Sequence, residues 1–207
     1  MLCSKHVFPR LFMTIKILGF AGSTRTKSLN KKLVRIGLAA AEAAGAETSY
    51  LDLQHLNMPL YDEDQEGREG MPETVRTFRN AVKDADGLLI ASPEYNGAPT
   101  AVLKNAIDWS TRPDPLAKDE PRGAVWGGTF VGLMCASPGS LGGLRGLTQL
   151  QLILSGINAI VLPQQVAVPA AHETIHDDGY LTHERLHTML EGLSTSMVDM
   201  LKRIRAV

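Results

Sequence analysis

Apolar runs alternate with amphipathic stretches along most of the chain. Ile15–Ala21 (IKILGFA) is almost wholly apolar, the pattern of a strand buried on both faces. Ser28–Ala44 then sets Leu29, Leu33, Ile36, Ala40 and Ala43 on one helical stripe, and Gly45 closes it. Glu47–Asp52 reads as a short second strand. Asn57–Met71 reads as a polar loop rich in Asp, Glu and Gly, and Pro72–Asp84 as a helix with proline at its start. Asp86–Ala91, which contains GLLIA, is a third strand, followed by a helix over Thr100–Ser110. Gly128–Ala136 (GTFVGLMCA) is a fourth strand, followed by a helix over Leu141–Ser155. Asn158–Leu162 begins a fifth strand. Leu181–Ile204 is a long closing helix with Leu186, Leu190, Leu193, Met197 and Leu201 facing inward. Thr111–Trp126, with three prolines and several charges, reads as a surface excursion.

Strand alternating with helix implies an α/β protein whose parallel sheet is covered on both faces. Five such units suit an open doubly wound sheet and are too few for an eight-fold barrel. In open sheets ligands bind beyond the carboxyl ends of the strands, where the strand order switches. The loops after strands one, three and four are therefore the ones to read for chemistry.

The first is GSTRTKSLN, Gly22–Asn30. It leads straight into a helix N-terminus, where free N–H groups and the positive dipole end attract anions. Gly22 permits a tight exit, Ser23, Thr24, Thr26 and Ser28 offer hydroxyls, Asn30 an amide, and Arg25 a forked contact. Such a loop can wrap a terminal monophosphate. It is neither G-x-G-x-x-G nor G-x-x-x-x-G-K-[ST], so a mononucleotide such as FMN fits better than a dinucleotide or a hydrolysed triphosphate. Alone, it also reads as an ordinary N-capped helix. The second loop, within SPEYNGAPTAVLKNAIDW (Ser92–Trp109), places Glu94, Tyr95, Asn96 and Gly97 between Pro93 and Pro99. Its turn residues can aim backbone donors at the edge of a heteroaromatic ring, and Tyr95 can cover a ring face. The third, within CASPGSLGGLRGL (Cys135–Leu147), brings Ser137, Gly139, Gly142 and Gly143, where backbone can approach a ligand closely. Each of these two loops alone also suits an ordinary strand-to-helix connection.

These three motifs together resemble the NADPH-dependent FMN reductase family, which includes quinone, chromate and azo-dye reductases. The likeness runs from about Ile15 to about Pro169. It implies a flavodoxin-like three-layer sandwich with a five-stranded parallel sheet in the order 2-1-3-4-5. It implies FMN phosphate held by Ser23, Thr24, Arg25, Thr26, Ser28, Leu29 and Asn30. It further implies a ring edge held by Pro93, Glu94, Tyr95, Asn96 and Gly97, largely through backbone, with Ser137 near the ring. The chemistry then belongs to FMN, with NADPH or NADH as electron donor and a quinone, chromate or azo compound as acceptor in a ping-pong cycle, so no side chain is assigned as catalytic. A homodimer, often paired into a tetramer, is also implied.

Charge narrows the alternatives. Lys and Arg number 21 and Asp and Glu 22 of 207 residues, for a formal net charge of -1. A nucleic-acid binder would show a basic excess. A flavodoxin-type electron carrier would be strongly acidic; it and a flavin-linked regulatory protein remain the rival readings. No apolar run reaches the roughly 18 residues of a membrane span. Two distant cysteines, Cys3 and Cys135, suit a reducing cytoplasm and no disulfide framework. Residues 1–12 read as an amino-terminal extension, a tail, ahead of a single FMN-binding domain over 13–207, with Met13 a candidate natural start. HETIH (His172–His176) matches a zinc-protease motif, but Pro169 before it and Asp177-Asp178-Gly179 after it leave too little helix, and no metal site is expected. Trp109 reads as core or subunit contact, and Lys104 and Arg112 as solvated cations before they read as an NADPH dock.

Overall fold

The computed structural model describes residues 14–117 and 119–206. The extension and Met13 lie outside them. Five strands, β1 (Lys16–Ala21), β2 (Glu47–Leu51), β3 (Gly87–Ala91), β6 (Phe130–Ala136) and β7 (Ile160–Val168), form one parallel sheet in the order β2-β1-β3-β6-β7. Counted among themselves these are 2-1-3-4-5, the order the resemblance implies. Two further strands, β4 (Glu94–Tyr95) and β5 (Ala98–Pro99), make a small separate hairpin.

The sheet alternates its side chains between two cores. Leu89, Ala91, Met134 and Ala136 join Leu33, Val34 and Ile36 of α1 (Leu29–Ala43) and Leu190, Leu193 and Met197 of α8 (Glu184–Arg205). Leu88, Ile90, Val131 and Leu133 face the other way. They meet Phe78 and Val82 of α4 (Glu73–Lys83), Leu103 and Ile107 of α5 (Ala101–Ser110), and Leu147, Leu150 and Leu154 of α6 (Leu144–Gly156). Helices on both faces of this sheet make a flavodoxin-like fold. At Gly19 a Cβ would lie 2.6 Å from Leu38 Cδ1, so glycine sets how closely α1 lies on the sheet.

Five elements differ from the sequence reading. The polar loop Asn57–Met71 contains α3 (Glu63–Glu69), which buries none of its residues. Asp62 caps it by accepting from the Asp64 and Gln65 amides, and hydropathy is silent because no apolar stripe exists. A shorter helix, α2 (Leu53–Leu56), precedes it. The excursion Thr111–Trp126 is not only surface: Val125 and Trp126 are core, and the Trp126 Nε1–H donates to Ser110 Oγ at 2.9 Å. Beneath it the buried Arg79 guanidinium donates to Ser110 O at 2.6 Å, to Arg112 O and to Glu120. The fifth strand runs through Pro163 to Val168. Proline is tolerated because β7 pairs on one side alone. The closing helix starts at Glu184 rather than Leu181, which instead forms an isolated bridge to Ile175.

Candidate functional site

Strand register brings the three loops together. Ala21 pairs with Ala91, and Ala91 with Met134, so β1, β3 and β6 end side by side. The Gly22 amide donates to Ala91 O at 2.9 Å and the Ser92 amide to Met134 O at 2.9 Å. Thr100 Oγ1 donates to Gly22 O at 2.6 Å, tying the first loop to the start of α5.

In the first loop Ser28 caps α1, its Oγ accepting from the Lys31 amide at 3.4 Å. The amides of Leu29 and Asn30 fill the first two helical positions and have no carbonyl one turn behind them to bond. Ser23 is buried, with its Oγ accepting from the Arg25 amide at 3.3 Å. Thr24, Arg25, Thr26 and Lys27 are all exposed beside these amides. The Asn30 side chain does something else. Its Nδ2 donates to Ala136 O at 2.8 Å and its Oδ1 accepts from the Ala136 amide at 2.9 Å. It latches α1 to the end of β6. Behind the loop, buried Lys31 donates to Asp52 Oδ2 at 2.7 Å and to Gln54 Oε1 at 2.9 Å. Those bonds hold the Asp52 carboxyl below its usual range against the opposing effect of burial, which is larger than any one of them.

The second loop is a hairpin. Asn96 (φ 54°) and Gly97 (φ 79°) both adopt the left-handed conformation of a two-residue Asn-Gly turn, which leaves them and Tyr95 at the surface. Glu94 turns away from that surface. Its Oε1 accepts from Arg145 Nη2 at 2.6 Å and Nε at 3.0 Å, and its Oε2 from the Gly146 amide at 3.0 Å. The Gly146 amide, then the Arg145 charge, hold its carboxyl below the usual range although burial opposes them.

In the third loop Gly142 (φ 61°) lies against the backbone of 167–169, and Gly143 (φ 91°) against the Cys135 side chain. A Cβ on Gly142 would come within 2.8 Å of the Val168 carbonyl carbon, and one on Gly143 would overlap the Cys135 sulfur. Ser137 is half-buried, and its Oγ accepts from the Gly139 amide at 3.2 Å. Cys135 is fully buried, and burial, with the Glu94 charge adding, pushes its thiol up to about 12.

Three other predicted features fall away from this edge. Trp109 is core: its Nε1–H donates to Pro59 O at 2.8 Å and its ring meets Tyr61 edge-on at 4.9 Å. Lys104 pairs with Asp108 at 2.7 Å and Arg112 with Glu66 at 2.7 Å. In HETIH the helix is only Ala171–Thr174, His176 stacks on Tyr180 at 4.6 Å, and no described group of His, Cys, Asp or Glu could hold a metal. The Asn30 latch and the Glu94–Gly146 bond join residues 106 and 52 positions apart, and neither leaves a local signal.

The family model described as NADPH-dependent FMN reductase matches residues 15–173. The chain belongs to that family. This FMN reductase family member is 34% identical over 152 residues to a 2-hydroxy-1,4-benzoquinone reductase of a Burkholderia species, covering 73% of this chain and 76% of that one. It is 32% identical over 202 residues to the quinone reductase of Escherichia coli K12, covering 92% and 97%. Among solved structures, FerB of Paracoccus denitrificans, a flavoenzyme NAD(P)H:acceptor oxidoreductase, matches with a TM-score of 0.74 at 26% identity. That match covers 92% of this chain and 98% of FerB. As a member of this family the protein is an oxidoreductase whose cofactor is FMN and whose electron donor is NAD(P)H. The residues present fit that cofactor. The α1 amides and neighbouring hydroxyls suit a phosphate. No described helix is long and apolar enough to cross a membrane.

Proposed function

We propose that the protein reduces quinones, by a ping-pong cycle in which donor and acceptor take turns at one flavin face. The observation that carries this reading is the convergence of three dissimilar loops on one sheet edge. FMN, when bound, would supply the redox chemistry, a hydride from NAD(P)H in exchange for two electrons and two protons delivered to a quinone, one proton coming from solvent. The chain's own residues bind and orient. Ser23, Thr24, Arg25, Thr26 and Ser28, with the Leu29 and Asn30 amides, hold the phosphate. The backbone of Pro93–Gly97 lines the ring edge, Tyr95 flanks the ring, and Ser137 lies nearby. Backbone donors on that edge favour negative charge on the ring. Quinone reductases among the relatives support the acceptor class. The same reading takes a homodimer or homotetramer as the working unit, in the cytoplasm.

The test is an anaerobic NADPH titration of the purified protein, followed at the flavin absorbance bands. Bleaching at one NADPH per flavin, with colour restored by a quinone, is the expected result. Bound flavin that stays oxidised would overturn the reading in favour of an electron carrier or regulatory protein. Failure to take up FMN at all would overturn the phosphate assignment.

A further inference from the structure

Glu94 is a carboxylate beside a ring edge whose carbonyls and ring nitrogens call for donors instead. It sits in the loop next to the proposed ring edge, yet its side chain is only 9% exposed and all three of its hydrogen bonds go to α6. Gly143, the residue before α6, offers no side chain to cap the helix. Glu94 does so from 52 residues away: its Oε2 takes the amide of Gly146, the third helical position, where a local cap would ordinarily bond. The fit is close. A Cβ on Gly146 would lie 3.2 Å from Glu94 Cβ and Cγ, and 3.4 Å from Ala98 O.

We infer that Glu94 is a positioning residue that caps α6 and so fixes the 94–99 hairpin at the flavin ring edge. The inference rests on the ring-edge reading above. Two of its three bonds go to Arg145, whose side chain is 67% exposed, and a pair this open to solvent contributes little. The Gly146 amide is the contact that matters. Glu94→Gln keeps an oxygen for it, and Glu94→Ala does not.

The experiment titrates flavin-free full-length protein with FMN and with riboflavin, which lacks the phosphate, and follows amide exchange over residues 94–99 without flavin. Glu94→Ala is expected to weaken both flavins by about tenfold, the loss of one charge-assisted hydrogen bond, leaving the FMN/riboflavin affinity ratio unchanged. Exchange in the hairpin speeds up in the same variant. Glu94→Gln stays within about threefold of wild type for both ligands. Gly146→Ala approaches the clamp from the helix side: alanine favours the helix by about 1 kcal/mol over glycine, so fold stability holds while flavin affinity falls. Wild-type exchange in Glu94→Ala, a loss confined to FMN, or a Gln variant as weak as the Ala variant would each overturn the inference. Wild-type protein that binds neither flavin would overturn it by removing the reading beneath it. Hairpin exchange in Glu94→Ala would then tell that failure from a failed clamp.

Discussion

The loop after β1 and the hairpin after β3 share one sheet edge but are built in opposite ways. The first turns four consecutive side chains, Thr24 to Lys27, to solvent, and its helix supplies free amides behind them. The hairpin turns its charged side chain inward onto α6 and leaves backbone at the surface, at Asn96 and Gly97. The difference follows the chemistry of the proposed ligand. A phosphate carries full charge and gains from forked, charge-assisted contacts. A ring edge is flat and neutral, and is better met by backbone held rigidly in place. The hairpin has a floor of its own: the Gly142–Gly143 turn, with Cys135 against Gly143 and Glu94 Cβ beside it.

Removing that floor is the largest way to break the contrast. Gly143→Ala must place a methyl on the Cys135 sulfur at a φ of 91°. Strain and overpacking together cost about 3–5 kcal/mol, or a fall in Tm of about 10 °C for a chain of this size. Gly139→Ala, four residues earlier, meets only Ser137 Oγ at 3.6 Å, with no positive φ, and leaves Tm within about 1 °C. Thermal denaturation of the pair checks this, and equal Tm values would show that the floor is not rigid.

Such a contrast is only half visible in sequence. The buried strands, the helix stripes and the three loops were legible because hydrophobic period and turn residues are local signals: GLLIA is core on both sides, and Asn-Gly demands its turn. What was not legible is where a polar side chain spends its bonds. The Asn30 side chain spends two bonds on Ala136, and the Glu94 carboxylate caps a helix 52 residues away. The buried Arg79–Glu120 pair likewise turned an apparent surface excursion into the wall around Trp126. Each depends on a partner brought near only by the finished sheet. Polar α3 escaped for another reason: it has a cap but no apolar face.

The contrast sharpens when phosphate and ring are probed separately. Arg25→Ala removes an exposed forked cation and no fold contact, so Tm holds. FMN affinity is expected to fall about tenfold while riboflavin affinity stays at the wild-type level. This is the mirror image of the Glu94→Ala profile, in which both fall together. Isothermal titration with the two flavins reads the difference, and a loss shared equally by both would move Arg25 to the ring.

Acid is expected to loosen the hairpin through Glu94, and comparison with Glu94→Gln isolates that effect. The folded Glu94 carboxyl lies below its ordinary value, so its contribution is full above the usual glutamate pKa of about 4.3. It is lost as pH falls through the lower folded value. Glu94→Gln has no such titration. Other carboxylates held low, such as Asp52 and Asp114, are common to both proteins and cancel in the comparison. Urea midpoints are therefore expected to favour wild type slightly at pH 7, and the gap to narrow as pH falls through the folded carboxyl's value. A gap that does not narrow in acid would mean the glutamate charge contributes nothing.

The smallest expected effect tests whether the floor beneath the hairpin stays closed. Cys135 lies under both Gly143 and Glu94, and burial, joined by the Glu94 charge, pushes its thiol up to about 12. At pH 8 the reactive thiolate is then about one part in ten thousand, and solvent has no path to it. In a Cys3→Ser variant, where Cys135 is the remaining thiol, iodoacetamide at pH 8 is expected to leave the folded protein unlabelled for hours. In urea it is expected to label one site per chain. Native labelling at the rate of a free thiol would mean the floor opens, and the hairpin above it could not then be held as rigidly as the clamp requires.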